Sequence, residues 1–204
     1  MKWTLYTFLL VSISFNCFGK SSYGEWLGTF TKKPINERYS FWSETQLRYS
    51  YTQGGMSQVL VRMGALDQVF KDHELGYLYG YIHTGGAKEH RLTLQHSMKY
   101  SDSLSHRMRF EGRYLEDIAE DSTRFRYLIR YQSNDIYNKF NLVLWDEVFV
   151  NTKKVGWNGG ESYDRNRLFV GLNKVIQKTK YEFGFLNQHT ENVSEYLFVL
   201  YLFF

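Results

Sequence analysis

Residues 39–51 read Tyr-Ser-Phe-Trp-Ser-Glu-Thr-Gln-Leu-Arg-Tyr-Ser-Tyr. One set of alternate positions holds Tyr39, Phe41, Ser43, Thr45, Leu47, Tyr49 and Tyr51, and the other holds Ser40, Trp42, Glu44, Gln46, Arg48 and Ser50. Neighbouring side chains of an extended strand point to opposite faces, so this period of two describes a strand with one apolar and one polar face.

The pattern continues in both directions. After residue 89, Leu92, Leu94, His96, Met98 and Tyr100 face Glu89, Arg91, Thr93, Gln95 and Ser97; then Leu104, His106, Met108 and Phe110 face Ser105, Arg107, Arg109, Glu111 and Arg113. Phe125, Tyr127, Ile129 and Tyr131 face Arg124, Arg126 and Arg130, and Tyr181, Phe183 and Phe185 face Glu182 and Gly184. Weaker strands are expected near 24–31, 58–66, 74–83, 138–150 and 194–204. Breakers separate them at Gly54-Gly55, Gly85-Gly86, Ser101-Asp102-Ser103, Ser133-Asn134-Asp135 and Asn158-Gly159-Gly160, while the single Pro34 falls in a turn.

The chain has 204 residues, 43% hydrophobic and 19% aromatic, with one Cys and a net charge of +4. Its mean hydropathy of −0.45 is too polar for a helical membrane protein. A lone Cys excludes an internal disulfide scaffold, and the aromatic content argues against disorder. Residues 1–19 are expected to be a signal peptide: Lys2, an apolar run over residues 3–15, then Cys17 and Gly19 at the small-residue positions before cleavage. Lipidation at Cys17 is the weighed alternative, and residues 14–16 make a poor approach to an acylated Cys. Cleavage would leave 24 Lys+Arg against 21 Asp+Glu, a net +3, and a single domain over 20–204.

Alternation alone does not say which face is wet. Strands of about eleven residues, tilted by about 40°, span roughly 25–28 Å, the height of an outer-membrane apolar band. Lys clusters at turns and strand ends, whereas Arg lies mid-strand on the polar face, where a confined lumen favours its planar fork. The chain stops at an alternating apolar face of Tyr196, Phe198, Leu200, Leu202 and Phe204, which looks like the assembly signal of outer-membrane proteins. These features predict an all-β, closed antiparallel transmembrane β-barrel of 10–12 strands in the bacterial outer membrane. Tyr residues near strand ends would form interfacial girdles. With both termini in the periplasm the strand number should be even; outer loops then fall at 51–57, 83–88, 115–122, 151–164 and 189–193. Segment 24–31 is either a closing strand or a cover across the periplasmic mouth. Asp146 falls on the lipid side of its strand, which a bulge or rim position would explain.

In order along the chain, Trp26, Glu44 with Arg48, Glu89-His90-Arg91, the run Arg107, Arg109, Glu111, Arg113, then Arg124 with Arg126, Glu147, Asn166-Arg167 with Gly171 and the terminal Phe resemble the uncharacterised bacterial outer-membrane barrels grouped as domain of unknown function 2490. The resemblance covers essentially the mature chain. It implies a barrel in the outer membrane and carries over no activity or catalytic residue.

The candidate site is the inward polar face: Arg48, Arg62, Arg91, Arg107, Arg109, Arg113, Arg124, Arg126, Arg130 and Arg167, with Glu44, Glu89, Glu111, Glu147 and Glu182. A narrow low-dielectric lumen focuses such a field, so the functional reading is a porin-like passage or a binding site for small anionic solutes. The plainer reading is a structural role, the interior filled by its own Arg–Glu pairs. The first alternative is an outer-membrane lipid-modifying enzyme of phospholipase or lipid A type, with His83, His90 or His189 at the outer rim meeting Glu89 or Asn187. The second is a soluble periplasmic barrel binding an apolar ligand. No catalytic set, cofactor, metal or nucleic-acid footprint is read. The expected partners are outer-membrane lipids, the barrel-assembly machinery during insertion, and small anions.

Overall fold

A computed structural model describes residues 20–204; the expected signal peptide lies outside the described residues. Eleven strands form one closed barrel: β1 (Lys20–Pro34), β2 (Tyr39–Ser50), β3 (Gly55–Phe70), β4 (His73–Thr84), β5 (Ala87–Lys99), β6 (Leu104–Leu115), β7 (Ser122–Gln132), β8 (Asn141–Lys153), β9 (Tyr163–Ile176), β10 (Thr179–His189) and β11 (Val193–Phe203). β1 through β11 pair antiparallel in chain order, and β1 closes the ring parallel to β11, from Lys20↔Val193 to Phe30↔Phe203. Segment 24–31 is therefore a wall strand. Antiparallel alternation around a ring works only for an even number, so eleven strands force one parallel pair. The expectation of an even count with both ends at one rim is corrected. Lys20 starts beside Val193 at one rim, while Phe204 bonds Phe30 and Lys32 at the other. Without β1, the edges of β2 and β11 would expose unpaired backbone groups along their length.

The connections at 51–54, 85–86, 116–121, 154–162 and 190–192 share one rim, called here the Trp157 rim; those at 35–38, 71–72, 100–103, 133–140 and 177–178 form the opposite rim. The two-residue hairpin between β4 and β5 turns on Gly85 and Gly86 with φ of 54° and 91°. Positive φ at both central residues matches the right-handed twist of the strands it joins. Bulges interrupt the register at Arg48/Tyr49, Gln68/Phe70, Thr123/Arg124 and Phe149/Val150.

The alternation reads directly onto two surfaces. Facing out are Met63, Leu92, Leu94, Phe110, Val170, Phe185 and Phe198, with exposed Tyr23, Tyr49, Tyr51, Tyr114 and Tyr163 toward the Trp157 rim and Tyr39, Tyr100, Tyr131 and Tyr137 toward the other. Facing in, β8 to β11 and β1 carry Trp145, Phe169, Leu186, Leu197, Val199, Tyr201 and Trp26, which pack as one buried cluster with Leu128 and Val143. Phe169 and Trp145 stack at 5.1 Å and Trp26 meets Tyr201 edge-on at 5.8 Å. Gly171 and Gly184 make room for the Phe169 ring, because a Cβ at either position would run into it and into neighbouring backbone. The prediction that inward positions carry chiefly Arg, Glu and Gln is thus corrected for this side. Both faces of β11 are apolar, and period two cannot reveal which of two apolar faces is inside.

Candidate functional site

Charge lines the rest of the lumen and reaches into β8, β9 and β10. All ten arginines singled out in the sequence, and all five glutamates, project inward from β2, β3 and β5 to β10. Glu111, with no exposed surface, accepts hydrogen bonds from Arg124 at 2.6 Å and Arg126 at 2.7 Å and lies 3.6 Å from Arg62. Arg62 reaches it from β3 by lying over Gly80 of β4, where a Cβ would sit 3.4 Å from Nε; it also donates to Glu44 at 3.1 Å. Glu147 accepts from Arg126 at 2.8 Å and Arg107 at 3.1 Å. Glu89 takes bidentate bonds from both Arg91 and Arg113, and Glu182 accepts two from Arg130. Arg–carboxylate forks of this kind fix position as well as charge. Asp164, not picked out from the sequence as a pairing carboxylate, joins through Arg124 at 2.6 Å and Arg165 at 3.0 Å. A bulge in the β8–β9 ladder at Phe149/Val150 shifts the strand at this level.

Three guanidinium groups stand apart from this pairing. Arg48 makes no side-chain hydrogen bond to a described residue; its only close neighbour of this kind is the Trp26 ring, 3.7 Å from its guanidinium carbon. Arg109 donates Nε to the Gln95 carbonyl at 2.7 Å, and Arg167 donates Nε to the Gln188 carbonyl at 2.7 Å. The terminal nitrogens of Arg48 and Arg109 have no carboxylate partner, and the nearest to Arg167 is Glu147 at 3.9 Å. Arg48 is 9% exposed and Arg109 3%.

They line a cavity of about 530 Å³ between the two sides of the lumen. Its walls carry eleven arginines and Lys180 against four glutamates, together with Trp26, Phe30, Trp42, Trp145, Tyr201 and Phe203. Lining residues reach from Trp157, Thr84 and Ala87 at one rim to Trp42, Lys180 and Phe203 toward the other. Where the charged and apolar walls meet, guanidinium groups lie on rings: Arg48 and Arg167 on Trp26, at 3.7 and 4.9 Å, and Arg126 and Arg167 on Phe149, at 4.4 and 4.6 Å. At the mouth Arg113 lies 4.8 Å from the Trp157 ring, and deeper in Arg109 lies 6.0 Å from Trp42.

The Trp157 rim is partly roofed. A 3-10 turn at Gly156–Asn158 places Trp157 so that Nε1 donates to the Glu120 carbonyl at 2.8 Å, and Asn158 Nδ2 donates to Ser122 Oγ at 2.7 Å. Val155 is buried beneath the turn. Gly159 and Gly160, with φ of 90° and 71°, carry the chain back to β9.

The histidines fall outside this cavity. His90 contacts the Tyr79 hydroxyl at 2.6 Å and Glu116 at 3.2 Å, rather than Glu89, whose side chain points inward because it is the adjacent residue of the strand. His189 lies 3.0 Å from Ser194 Oγ, but Ser194 is only 4% exposed and its hydroxyl is not presented to a substrate. His96 and His106 are cross-strand neighbours as read, with His73 completing an outward row near the opposite rim. Asp146 is accommodated on the outer face by Asn166, whose amide donates to it at 2.5 Å. Among the described residues no group of three or more His, Cys, Asp or Glu side chains is placed to hold a metal ion.

A family model described as "Protein of unknown function (DUF2490)" matches residues 23–196. The chain belongs to this family. The match spans β1 to the first residues of β11, and with it the whole charged side of the lumen. No curated protein and no solved structure matches the chain.

Proposed function

We propose that this protein is an outer-membrane barrel whose lumen is a binding chamber and narrow passage for small anions. The membrane reading draws on the outward face, where an apolar belt lies between two sets of exposed tyrosines. The anion reading rests on one observation: the five glutamates Glu44, Glu89, Glu111, Glu147 and Glu182 are already held by arginine, and yet Arg48 and Arg109 border the cavity with no carboxylate within ion-pair distance. An ion pair removed from water only about balances its desolvation cost, and an unpaired buried charge costs several kcal/mol more. An interior selected for packing alone would carry matched charges. The surplus is compensated when an anion occupies the chamber, and the focused positive field draws anions in.

Two measurements test this. Membrane fractionation with heat-dependent gel mobility should show a folded barrel in the outer membrane; recovery in the soluble periplasmic fraction overturns the location. In planar bilayers, a chloride gradient should give a reversal potential of anion selectivity that Arg48→Gln with Arg109→Gln lowers. Cation selectivity, or no anion current or anion binding in the unmodified protein, overturns the anion reading.

A further inference from the structure

Resting on the anion reading above, we propose that the chamber's ligand is an amphiphilic anion: a carboxylate attached to a flat apolar ring, of the aryl carboxylate class. Arg48 and Arg167 both lie within 5 Å of the Trp26 ring, at 3.7 and 4.9 Å, so one indole holds both guanidinium groups at the cavity wall. Arg48 gives no hydrogen bond to a described side chain, and Arg167 uses Nε for Gln188, so their outer N–H edges remain to be satisfied. A planar fork with free parallel donors matches a carboxylate.

The adjoining apolar wall determines the rest of the ligand. Phe30, Trp145, Tyr201 and Phe203 line the same space and continue into the buried apolar cluster. A bare ion such as chloride or acetate would satisfy the arginines and leave this wall against water. A ring covers it, and the hydrophobic gain scales with the area covered. The volume of about 530 Å³ lies within the range of small-molecule sites, roughly 300–1,000 Å³, and exceeds what a hydrated halide requires. The pairing of guanidinium with indole recurs at the mouth, Arg113 on Trp157, and deeper in, Arg109 by Trp42. An aryl anion therefore meets the same two chemistries along the whole cavity.

The test is calorimetric titration of the folded barrel in detergent micelles with benzoate, acetate, chloride and benzylammonium. Benzoate should bind at least tenfold tighter than acetate, benzylammonium should not bind, and Arg48→Gln should weaken benzoate at least tenfold while heat-dependent mobility shows an intact barrel. Arg167→Gln is the second variant, with the same expectation should Arg48→Gln not fold. Equal binding of benzoate and acetate overturns the ring requirement and leaves the anion reading standing. Benzylammonium binding as tightly as benzoate overturns the carboxylate. Absence of binding by every anion, together with absent anion selectivity in bilayers, overturns the anion reading itself.

Discussion

From β2 to β7 the inward positions carry most of the arginine and glutamate, with a short aliphatic patch of Leu60, Leu66, Leu78 and Ile82 on β3 and β4; from β8 through β11 to β1 they carry the cluster of Trp, Phe, Leu, Val and Tyr, with Glu147, Arg167 and Glu182 of β8 to β10 belonging to the charged network. The apolar side gains by removing ring and aliphatic surface from water and by dense contact, which require no particular partner. The charged side gains little net free energy from its pairs, and its geometry is fixed by which fork meets which carboxylate. The difference teaches where to look for function. Surplus on the apolar side is only more packing, but surplus on the charged side is an unsatisfied requirement, and it falls at Arg48, Arg109 and Arg167.

The largest expected effect comes from breaking the charged side at its hub. Glu111→Ala leaves Arg62, Arg124 and Arg126 facing one another without their shared carboxylate, and should cost about 3–5 kcal/mol in urea-induced unfolding. A loss below 1 kcal/mol would show that water replaces the carboxylate. On the apolar side Phe169→Ala, at a residue with no exposed surface that stacks on Trp145, should cost about 3–4 kcal/mol by the same assay. Combining it with Glu111→Ala should give additive losses if the two sides are independent, whereas Glu111→Ala with Arg126→Ala should be strongly non-additive.

Arg48→Met sharpens the comparison in the other direction. Removing a charge with no carboxylate partner should leave stability within about 1 kcal/mol of the parent, or raise it, whereas Arg126→Met should cost several kcal/mol. Equal losses would remove the distinction between paired and surplus arginines. The smallest effect lies outside the lumen, at the Trp157 rim. The Glu116 carboxyl is held below its ordinary value, chiefly by its hydrogen bond from Lys88 and also by His90. A carboxyl depressed in the folded state adds stability above the unfolded value of about 4.3, and that contribution fades as pH falls below it. Glu116→Gln should therefore slightly flatten the stability loss below about pH 4.5 in acid titrations followed by circular dichroism. An unchanged acid profile would show that solvent screens the pair completely.

Particular residues show how far the sequence reaches. Arg107, Arg109, Glu111 and Arg113 were readable as one inward face because their neighbours Met108 and Phe110 are apolar, so the two faces differ in kind. Phe169 shares its face with Arg167 in the sequence, whereas Tyr201 is not readable as a lumen residue, because its neighbours Leu200 and Leu202 are equally apolar. Asp164 was missed as an arginine partner because its place beside Arg124 depends on contact across about forty residues. The sequence offers Glu89 as a carboxylate for His90, whereas the pairing of β5 with β6 brings Glu116 alongside it.

The sequence by itself determined that the chain is all-β, that its strands carry two faces, and that arginine and glutamate share one of them, since side-chain alternation is a local consequence of extended backbone. Only the tertiary structure decided that β1 closes the ring in parallel and makes the strand number odd. It alone also decided that half of the lumen is apolar and which arginines go without a carboxylate. Those properties depend on which strands meet across the barrel, and contacts between positions far apart in the chain leave no trace in a period of two.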